Sequence, residues 1–188
     1  LNEAGVLAEN TVTVAYSYIG PELTYPMYHK GTLGAAKAHL LQTAQEMTKK
    51  FSNVNAYVSV NKALVTQASA AIPVVPLYIA LLYRIMEKKQ IHENAIEQIE
   101  RMYQEKLFVD KPVLDQTGQI RMDDWELRED VQSEIEAFWE KLYAHEVPDF
   151  SYIDEYWVAF RQLFGFDLPN VDYSKDVDPN VAIPSIKD

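Results

Sequence analysis

Cysteine is absent from this chain of 188 residues, and glycine is scarce, with only six residues. The lack of cysteine excludes disulfides, thiolate catalysis and cysteine-ligated metals. None of the glycines belongs to a G-x-G-x-x-G turn, the pattern that binds the pyrophosphate of a dinucleotide. The four histidines lack the spacing of metal ligands, so we expect no metal site. They are His29, His39, His92 and His145.

Basic residues are outnumbered, 17 against 28 acidic ones, which gives a net charge of −11. A chain of this charge lacks the basic surface that nucleic acids and anionic membranes require, so we expect neither as a partner. No signal-peptide pattern or membrane-length apolar run is apparent, which predicts a soluble, cytoplasmic protein. The apolar fraction of 48% and the aromatic fraction of 12% argue against disorder and predict a folded core.

Two short segments rich in β-branched and aromatic residues predict buried strands, TVTVAYSY at 11–18 and NAYVSV at 55–60. Between them, apolar residues recur at helical spacing from an N-cap at Thr32 to about Phe51. A strand–helix–strand unit of this length predicts parallel strands joined by a right-handed crossover. The predicted fold class is therefore α/β.

Two further helices are predicted after the second strand. The apolar segment 74–86 predicts the first, which accommodates Pro73 and Pro76 near its first turn. The amphipathic segment 93–107 predicts the second, and its apolar side is formed by Ile96, Ile99, Met102 and Tyr103.

The remainder of the chain predicts a hairpin and acidic helical structure. Residues 113–122 predict a hairpin that turns at the Thr-Gly pair 117–118. Asp123 or Asp124 is the predicted N-cap of a helix that reaches about Tyr143. The carboxylates in this region are interpreted as a solvated helix face and as partners of the helix dipole. They are Asp123, Asp124, Glu126, Glu129 and Asp130.

Tyr28 and Lys37 form the most informative pair. A phenol and an ammonium held close together can support the oxyanion that develops when a nicotinamide cofactor reduces a carbonyl or enoyl group. An ideal helix turns roughly 100° per residue, so nine residues place the two side chains on opposite faces. If they act together, the backbone must break between them, and Gly31–Thr32 permits such a break. With twelve tyrosines in the chain, spacing alone leaves a coincidental pair as an alternative.

The segment 16–37 resembles the trans-2-enoyl-CoA reductase family, which includes the V-type enoyl-acyl carrier protein reductases. The resemblance rests on YSYIGP, on Tyr28-x8-Lys37 and on the glycines of Gly31-Thr-x-Gly34. It covers nearly the whole chain through six later motifs. These are VSVNKALVT (58–66), AIP (71–73), IHEN (91–94), RMDDWEL (121–127), GFD (165–167) and VDY (171–173).

This resemblance implies a Rossmann-type fold and NADH-dependent reduction of the 2,3 double bond of enoyl thioesters in fatty acid synthesis. It implies that Tyr28 is the catalytic acid and that Lys37 contacts the nicotinamide ribose. As a nearby cation, Lys37 is expected to lower the pKa of Tyr28. Tyr18 is implied as a substrate contact, while Lys62 is interpreted as a surface lysine rather than a phosphate ligand.

Two further groups of site residues are implied by the same resemblance. The first is a cofactor-binding backbone segment, formed by Leu64, Val65 and Thr66. The second is the wall of the acyl pocket, formed by Val75, Ile79 and Tyr83, whose spacing places them near one helix face. An ordinary core position is an equally good interpretation of Val75 and Ile79.

The family binds NADH largely through a glycine-rich turn that this chain lacks. We therefore predict the C-terminal half of a Rossmann-type, short-chain dehydrogenase-like parallel sheet domain at 1–122, followed by a helical C-terminal extension at 123–188. The start at Leu1, without methionine, predicts a piece of a longer protein. Alone, the chain is expected to expose strand edges and apolar helix faces and to lack reductase activity. It should then either pair with the missing N-terminal half or with itself, or be marginally stable.

The cofactor expected is NADH. Family descriptions attach a flavin-binding label to the C-terminal segment, but nothing in 123–188 resembles a dinucleotide site, which argues against FAD. The expected substrate is an enoyl-CoA or an enoyl-acyl carrier protein. Two alternatives stay open, a non-catalytic fragment or oligomerisation module, and a carbonyl reductase of the short-chain dehydrogenase type. The latter fits the residue chemistry but not the spacing of the pair.

Overall fold

The structure, a computed structural model, describes residues 1–146, 152–180 and 182. Three strands and seven α-helices are found there, with a 3₁₀ turn at Glu22–Thr24 and a π-helix at Met102–Leu107. In chain order they are β1 (Thr11–Ser17), α1 (Tyr25–Tyr28), α2 (Gly31–Lys50), β2 (Val54–Val60), α3 (Gln67–Ala71), α4 (Val75–Lys88), α5 (Ala95–Arg101), β3 (Ile120–Arg121), α6 (Glu129–Tyr143) and α7 (Ile153–Gln162).

The three strands form one parallel sheet in the order β1-β2-β3. β1 pairs with β2 from Thr11 opposite Val54 to Ser17 opposite Val60, so both strands end at the same edge of the sheet. α2 connects them and packs its apolar side chains on β2, at Ala56 and Val58. The predicted α/β class and the parallel pairing are confirmed.

β1 is less buried than its apolar sequence predicted. Val12 is 37% exposed and Tyr16 is 50% exposed, whereas Val58 and Val60 of β2 are fully buried. In the described residues, no strand pairs with the free edge of β1. Strands of parallel sheets are usually buried on both faces and are rich in apolar residues. β1 has this composition, but its side chains are only partly covered by other residues. The prediction of burial was therefore wrong for β1 in this chain.

α4 is the centre of the main hydrophobic core. Eight of its residues are buried, and Pro76 sits in its first turn, as predicted. Helices α6 and α7 pack against it and contribute Ile135 and Tyr156 to the same core. None of the described helices combines the length and the apolar character needed to cross a bilayer.

The hairpin predicted at 113–122 was wrong. Its turn forms, because the Asp115 carboxylate accepts hydrogen bonds from the backbone N–H groups of Thr117 and Gln119, and Gly118 adopts a φ of +83°. The residues after the turn, however, pair in parallel with the end of β2 as strand β3. Local turn chemistry was readable from the sequence, but the partner of the strand depended on a distant segment.

The acidic helix begins later than predicted. Its N-cap is Arg128, so neither Asp123 nor Asp124 caps it. Asp123 and Glu126 are fully buried, which contradicts their assignment to a solvated helix face. Asp123 is held by the guanidinium of Arg121, which explains how this charge tolerates burial.

The helix predicted at 93–107 changes its winding halfway. Asn94 caps α5 through a capping box with Glu97, and the chain widens into the π-helix at Met102. The buried face consists of Gln98, Arg101 and Met102, whereas Ile96 is 73% exposed. The predicted apolar side is right at Met102 and wrong at Ile96. Arg101 can lie in the interior because it is neutralised by ion pairs with Glu93 and Asp124. Those partners make an interior position acceptable for a charge.

Candidate active site

A cavity of about 360 Å³ opens beyond the carboxyl ends of β1 and β2. Ser17, the last residue of β1, and Asn61, which follows β2, both line it. Clefts at this edge of a parallel sheet are the usual ligand sites of α/β folds. Seven of the nine site residues predicted from the sequence line this cavity. They are Tyr18, Tyr28, Lys37, Leu64, Thr66, Val75 and Ile79.

Tyr28 and Lys37 meet because the helix between them is broken, as predicted. α1 ends at Tyr28, Lys30 is extended, and α2 starts at Gly31 with a left-handed φ of +82°. The Nζ atom of Lys37 consequently lies 5.7 Å from the centroid of the Tyr28 ring. The predicted N-cap at Thr32 was wrong, since Lys30 occupies that position.

Gly34 allows the two helices to approach closely. A Cβ atom at this position would overlap the carbonyl group of His29, in the link between α1 and α2. A side chain at 34 would thus push the first turn of α2 away from the end of α1. The glycine of the Gly31-Thr-x-Gly34 motif therefore serves the geometry of the Tyr28–Lys37 pair.

Lys37 is half-buried and donates a hydrogen bond from Nζ to Ser17 Oγ at 3.2 Å. Burial lowers the pKa of Lys37. Burial also raises the pKa of Tyr28; Tyr156, when ionised, and the Glu126 carboxylate act in the same direction. The expected lowering of the Tyr28 pKa was wrong, because desolvation of the phenolate is the largest cause and raises it.

Tyr18 lies directly against Tyr28. The two ring centroids are 4.8 Å apart and the ring planes meet at 85°, an edge-to-face contact. The Tyr18 hydroxyl donates a hydrogen bond to Glu126 Oε1 at 3.0 Å. Burial and the Glu126 carboxylate together raise the pKa of Tyr18 well above its usual value, so this hydroxyl stays protonated.

Sequence reasoning misjudged two buried charged residues, Lys62, which lines the cavity, and Glu126, which lies behind it. Glu126 accepts hydrogen bonds from Tyr18, Tyr78 and the backbone N–H of Ala63, and burial raises its pKa. Lys62 is 1% exposed, so its interpretation as a surface lysine was wrong. Both residues belong to motifs of the family resemblance, VSVNKALVT and RMDDWEL, which was the available signal for them.

Lys62 is almost fully buried, although it lines the cavity that Tyr28 faces. Its Nζ donates to the carbonyl oxygen of Ala63 at 3.3 Å and lies 4.4 Å from the centroid of the Tyr83 ring. Burial lowers the pKa of Lys62 to about 8, and the negative charge of Glu126 is the main opposing influence. The ammonium and the Glu126 carboxylate thus compensate each other in the interior.

Val65 and Tyr83 lie outside the cavity that Tyr28 faces. The Val65 N–H donates to Tyr83 Oη at 3.0 Å, and the Tyr83 ring packs on His92 at 4.3 Å. Both face a second cavity of about 490 Å³, which Leu64 shares with the first. Burial raises the pKa of Tyr83 to about 12. In the described residues, no group of three or more His, Asp or Glu side chains converges as a set of metal ligands.

A parallel α/β sheet, with a tyrosine and a lysine facing one cavity beyond its strand ends, is the arrangement of the Rossmann-type reductases. Comparison with known proteins agrees with this class. Residues 1–108 match the family model described as the trans-2-enoyl-CoA reductase catalytic region, and residues 114–177 match an enoyl reductase FAD binding domain. The chain belongs to the trans-2-enoyl-CoA reductase family, as its motifs predicted.

Individual relatives carry the same description. The chain is 54% identical over 187 residues to the enoyl-[acyl-carrier-protein] reductase [NADH] of Cytophaga hutchinsonii, which covers 98% of this chain and 47% of that protein. It is 48% identical to the trans-2-enoyl-CoA reductase of Euglena gracilis, and the match covers 98% of this chain and 34% of that protein. The crystal structure of Treponema denticola trans-2-enoyl-CoA reductase in complex with NAD superimposes with a TM-score of 0.85 at 44% identity. The match covers 94% of this chain and 45% of that protein. The chain thus spans half or less of the length of these relatives.

The flavin implied by the second family model does not fit the described residues of 114–177. Gly118 and Gly165 are the glycines there, and neither is in a tight cradle. A Cβ atom would meet only the Gln45 amide, at 4.0 Å, at Gly118 and nothing within 4 Å at Gly165. The close backbone packing that a pyrophosphate turn requires is therefore missing from this part of the structure.

Proposed function

We propose that this chain supplies the tyrosine, the lysine and the acyl-binding wall of an NADH-dependent reductase of trans-2-enoyl thioesters. The observation that carries this proposal is the convergence of Tyr28 and Lys37 on one cavity across a broken helix. A spacing of nine positions would place the pair on opposite faces of a regular helix, so the break and the close approach at Gly34 serve this convergence.

Tyr28 is the proposed oxyanion donor. NADH, when bound, supplies the hydride that adds to Cβ of the substrate, and negative charge then develops on the thioester oxygen. Tyr28 donates a hydrogen bond to that oxygen, and this bond is stronger in the transition state than in the ground state. Because burial raises the pKa of Tyr28, the hydroxyl keeps its proton at neutral pH and is available as a donor.

Lys37 is the proposed contact for the nicotinamide ribose. An ammonium group has three N–H donors, and Ser17 Oγ engages one of them. The remaining donors can bind ribose hydroxyls at the mouth of the cavity. The backbone segment 64–66, the other proposed cofactor contact, supports this arrangement through Leu64 and Thr66, which line the same cavity.

The acyl chain is proposed to lie against the apolar wall opposite the pair. Val75 and Ile79 of α4 are buried core residues that also line the cavity. They can therefore serve both as core positions and as the wall of the acyl pocket. Tyr18 contributes its ring to the same lining. Tyr83 stands one layer behind, next to Leu64 and the second cavity.

The catalytic unit is proposed to be a longer polypeptide. The described residues contain no glycine-rich phosphate turn, and β1 has a free edge with half-exposed apolar residues. A preceding segment that pairs with this edge would complete the sheet and hold the cofactor phosphates. Residues 1–122 would then form the second half of a cytoplasmic reductase domain, with 123–188 as its helical extension. The isolated chain is expected to be inactive or to self-associate.

The test measures NADH oxidation by the longer polypeptide with crotonyl-CoA, crotonyl-acyl carrier protein and a simple ketone. We expect turnover of one or both thioesters and none of the ketone. Reduction of the ketone alone would replace this proposal with a carbonyl reductase. No turnover of any substrate would favour an assembly module. Turnover by the 188-residue chain itself would contradict the need for a second segment.

A further inference from the structure

We propose that Glu126 is a positioning residue for Tyr28, because its buried carboxylate holds Tyr18 against the Tyr28 ring and turns the Tyr18 hydroxyl toward the protein interior. This inference rests on the proposed function, since it assigns Glu126 a part in orienting the oxyanion donor of that reaction. Glu126 touches neither the cavity nor the reacting atoms and acts through its neighbour.

The carboxylate of Glu126 is fully enclosed and fully engaged. Oε1 accepts hydrogen bonds from Tyr18 Oη at 3.0 Å and from Tyr78 Oη at 2.6 Å, and Oε2 accepts one from the backbone N–H of Ala63 at 2.7 Å. An ionised carboxylate only accepts, so each of its three partners is a donor. This arrangement fixes the direction of both hydroxyl protons.

A tyrosine hydroxyl has one hydrogen to donate. Tyr18 directs that hydrogen to Glu126, and therefore it cannot donate to a substrate oxygen at the same time. What Tyr18 presents to the site is its ring, packed edge-to-face on Tyr28 at 4.8 Å. Gly20 closes the other side of the hydroxyl, since a Cβ atom at that position would overlap the Tyr18 phenol. The hydroxyl end of the Tyr18 ring is thus fixed between Glu126 and Gly20.

Lys62 supplies the compensating charge for Glu126. Both residues are excluded from solvent, and the attraction between them opposes the effect of burial on each. Without a compensating cation, a buried carboxylate takes up a proton and loses its character as a pure acceptor. The direction of the Tyr18 hydroxyl therefore depends on this buried pair of charges. Its hydrogen-bond partner Glu126 is 108 residues away in the sequence.

The decisive variant is Glu126→Gln in the longer polypeptide, assayed with crotonyl-CoA and NADH. The amide of the new side chain donates hydrogen bonds, which releases the hydroxyl hydrogen of Tyr18 and loosens the ring behind Tyr28. We expect kcat to fall by roughly tenfold to a hundredfold, with a small change in KM, because misplacement of a catalytic group by about 1 Å has effects of this size. An unchanged or increased kcat would overturn the proposal and indicate that Tyr18 donates to the substrate.

Two further variants separate positioning from stability. Glu93→Gln also neutralises a buried carboxylate, one held by Arg101 and Gln98, and it is expected to lower the unfolding temperature without lowering kcat. Tyr18→Phe keeps the ring and the buried charge pair and removes only the link. In the Tyr18→Phe background, adding Glu126→Gln should change kcat less than about threefold. Full additivity of the two effects would contradict an action of Glu126 through Tyr18.

The pH profile gives a readout that loss of packing would not move. The groups that act on Tyr28 are Lys37, Tyr18, Tyr156 and Glu126. Removing the negative charge of Glu126 should lower the pKa of Tyr28, so the alkaline limb of kcat/KM should move to lower pH. An unshifted limb together with a reduced kcat would indicate structural damage alone.

Failure of this inference is distinguishable from failure of the proposed function. An inactive wild-type enzyme would reject the proposed function and this inference with it. An active wild-type enzyme that needs Tyr28 but tolerates Glu126→Gln would reject the positioning role alone.

Discussion

The Nζ atom of Lys37 lies 5.7 Å from the centroid of the Tyr28 ring, although the two residues belong to different helices. This proximity requires three local features, namely the end of α1 at Tyr28, the left-handed Gly31 and the absence of a side chain at Gly34. The pair then faces an apolar cavity at the end of a parallel sheet.

Replacing Tyr28 with Phe tests its role as oxyanion donor. The substitution keeps the ring against Tyr18 and removes only the hydroxyl, so the fold should be retained. Loss of one oxyanion donor typically lowers kcat by roughly 10²–10³, and we expect this range with crotonyl-CoA and NADH. Steady-state kinetics provides the measurement, and a near-normal kcat would remove Tyr28 from the mechanism.

Gly34→Ala tests the close approach of the two helices. Helix propensity alone predicts stabilisation by up to about 1 kcal/mol, because Ala favours a helix over Gly. The overlap with the His29 carbonyl predicts the opposite sign, with a lower unfolding temperature and a kcat reduced by up to about a hundredfold. Thermal denaturation and kinetics together decide between the two.

The control for this variant is Ala36→Gly, on the exposed side of α2. It should lower stability by about 1 kcal/mol or less and leave kcat unchanged. A Gly34→Ala enzyme that is both more stable and fully active would show that α1 and α2 do not need their close contact.

Tyr83→Ala tests whether the cavity facing Tyr28 can be extended. Leu64 and Tyr83 line the second cavity, of about 490 Å³, and Leu64 also lines the first. Removing the Tyr83 ring should open the wall and shift kcat/KM from crotonyl-CoA toward dodecenoyl-CoA. Tyr83→Phe keeps the ring, loses only the acceptor for the Val65 N–H, and should preserve the preference of the wild type. Equal ratios in all three enzymes would argue against an acyl-length role for this residue.

His92 makes stability depend on pH. Burial is the main cause that lowers its pKa to about 4 from 6.5, and the Lys62 cation adds to the effect. Between these two values the unfolded chain binds a proton that the native chain does not, so the free energy of unfolding should fall as pH falls from about 6.5 to 4.

Denaturant unfolding of the wild type and of His92→Gln over this pH range gives the measurement. Carboxylates such as Glu87 also titrate here, and burial raises the pKa of that residue, which acts with the opposite sign. The difference in the free energy of unfolding between the two proteins isolates the contribution of His92. This difference should shrink as pH falls below about 6.5. Curves that stay parallel would mean that His92 is protonated equally in the folded and unfolded states.

Much of the site was predictable because its determinants are local. The glycines between Tyr28 and Lys37 indicate a helix break. The composition of the strands at 11–17 and 54–60 indicates a strand–helix–strand unit with parallel strands. Pro76 could be placed in the first turn of a helix for the same reason. Each of these inferences depends on backbone conformations that neighbouring residues alone restrict.

The buried charges could not be predicted in the same way. An isolated Glu or Lys is most often at the surface, and apart from the family motifs that contain them, neither Glu126 nor Lys62 has a neighbour in sequence that indicates otherwise. The burial of Glu126 depends on Tyr18, which is 108 residues away, and on the backbone of Ala63, which is 63 residues away. Only the folded chain brings these donors together.

By itself, the sequence determined the first strand–helix–strand unit, the helix break beside Tyr28 and the family to which the chain belongs, since turn residues, periodicity and motifs act over a few positions. The tertiary structure alone decided which charges are buried, which strand Ile120–Arg121 joins, and the direction of the Tyr18 hydroxyl. Those outcomes depend on partners distant in sequence, because burying a charge or a polar group is favourable only where a partner is already in place.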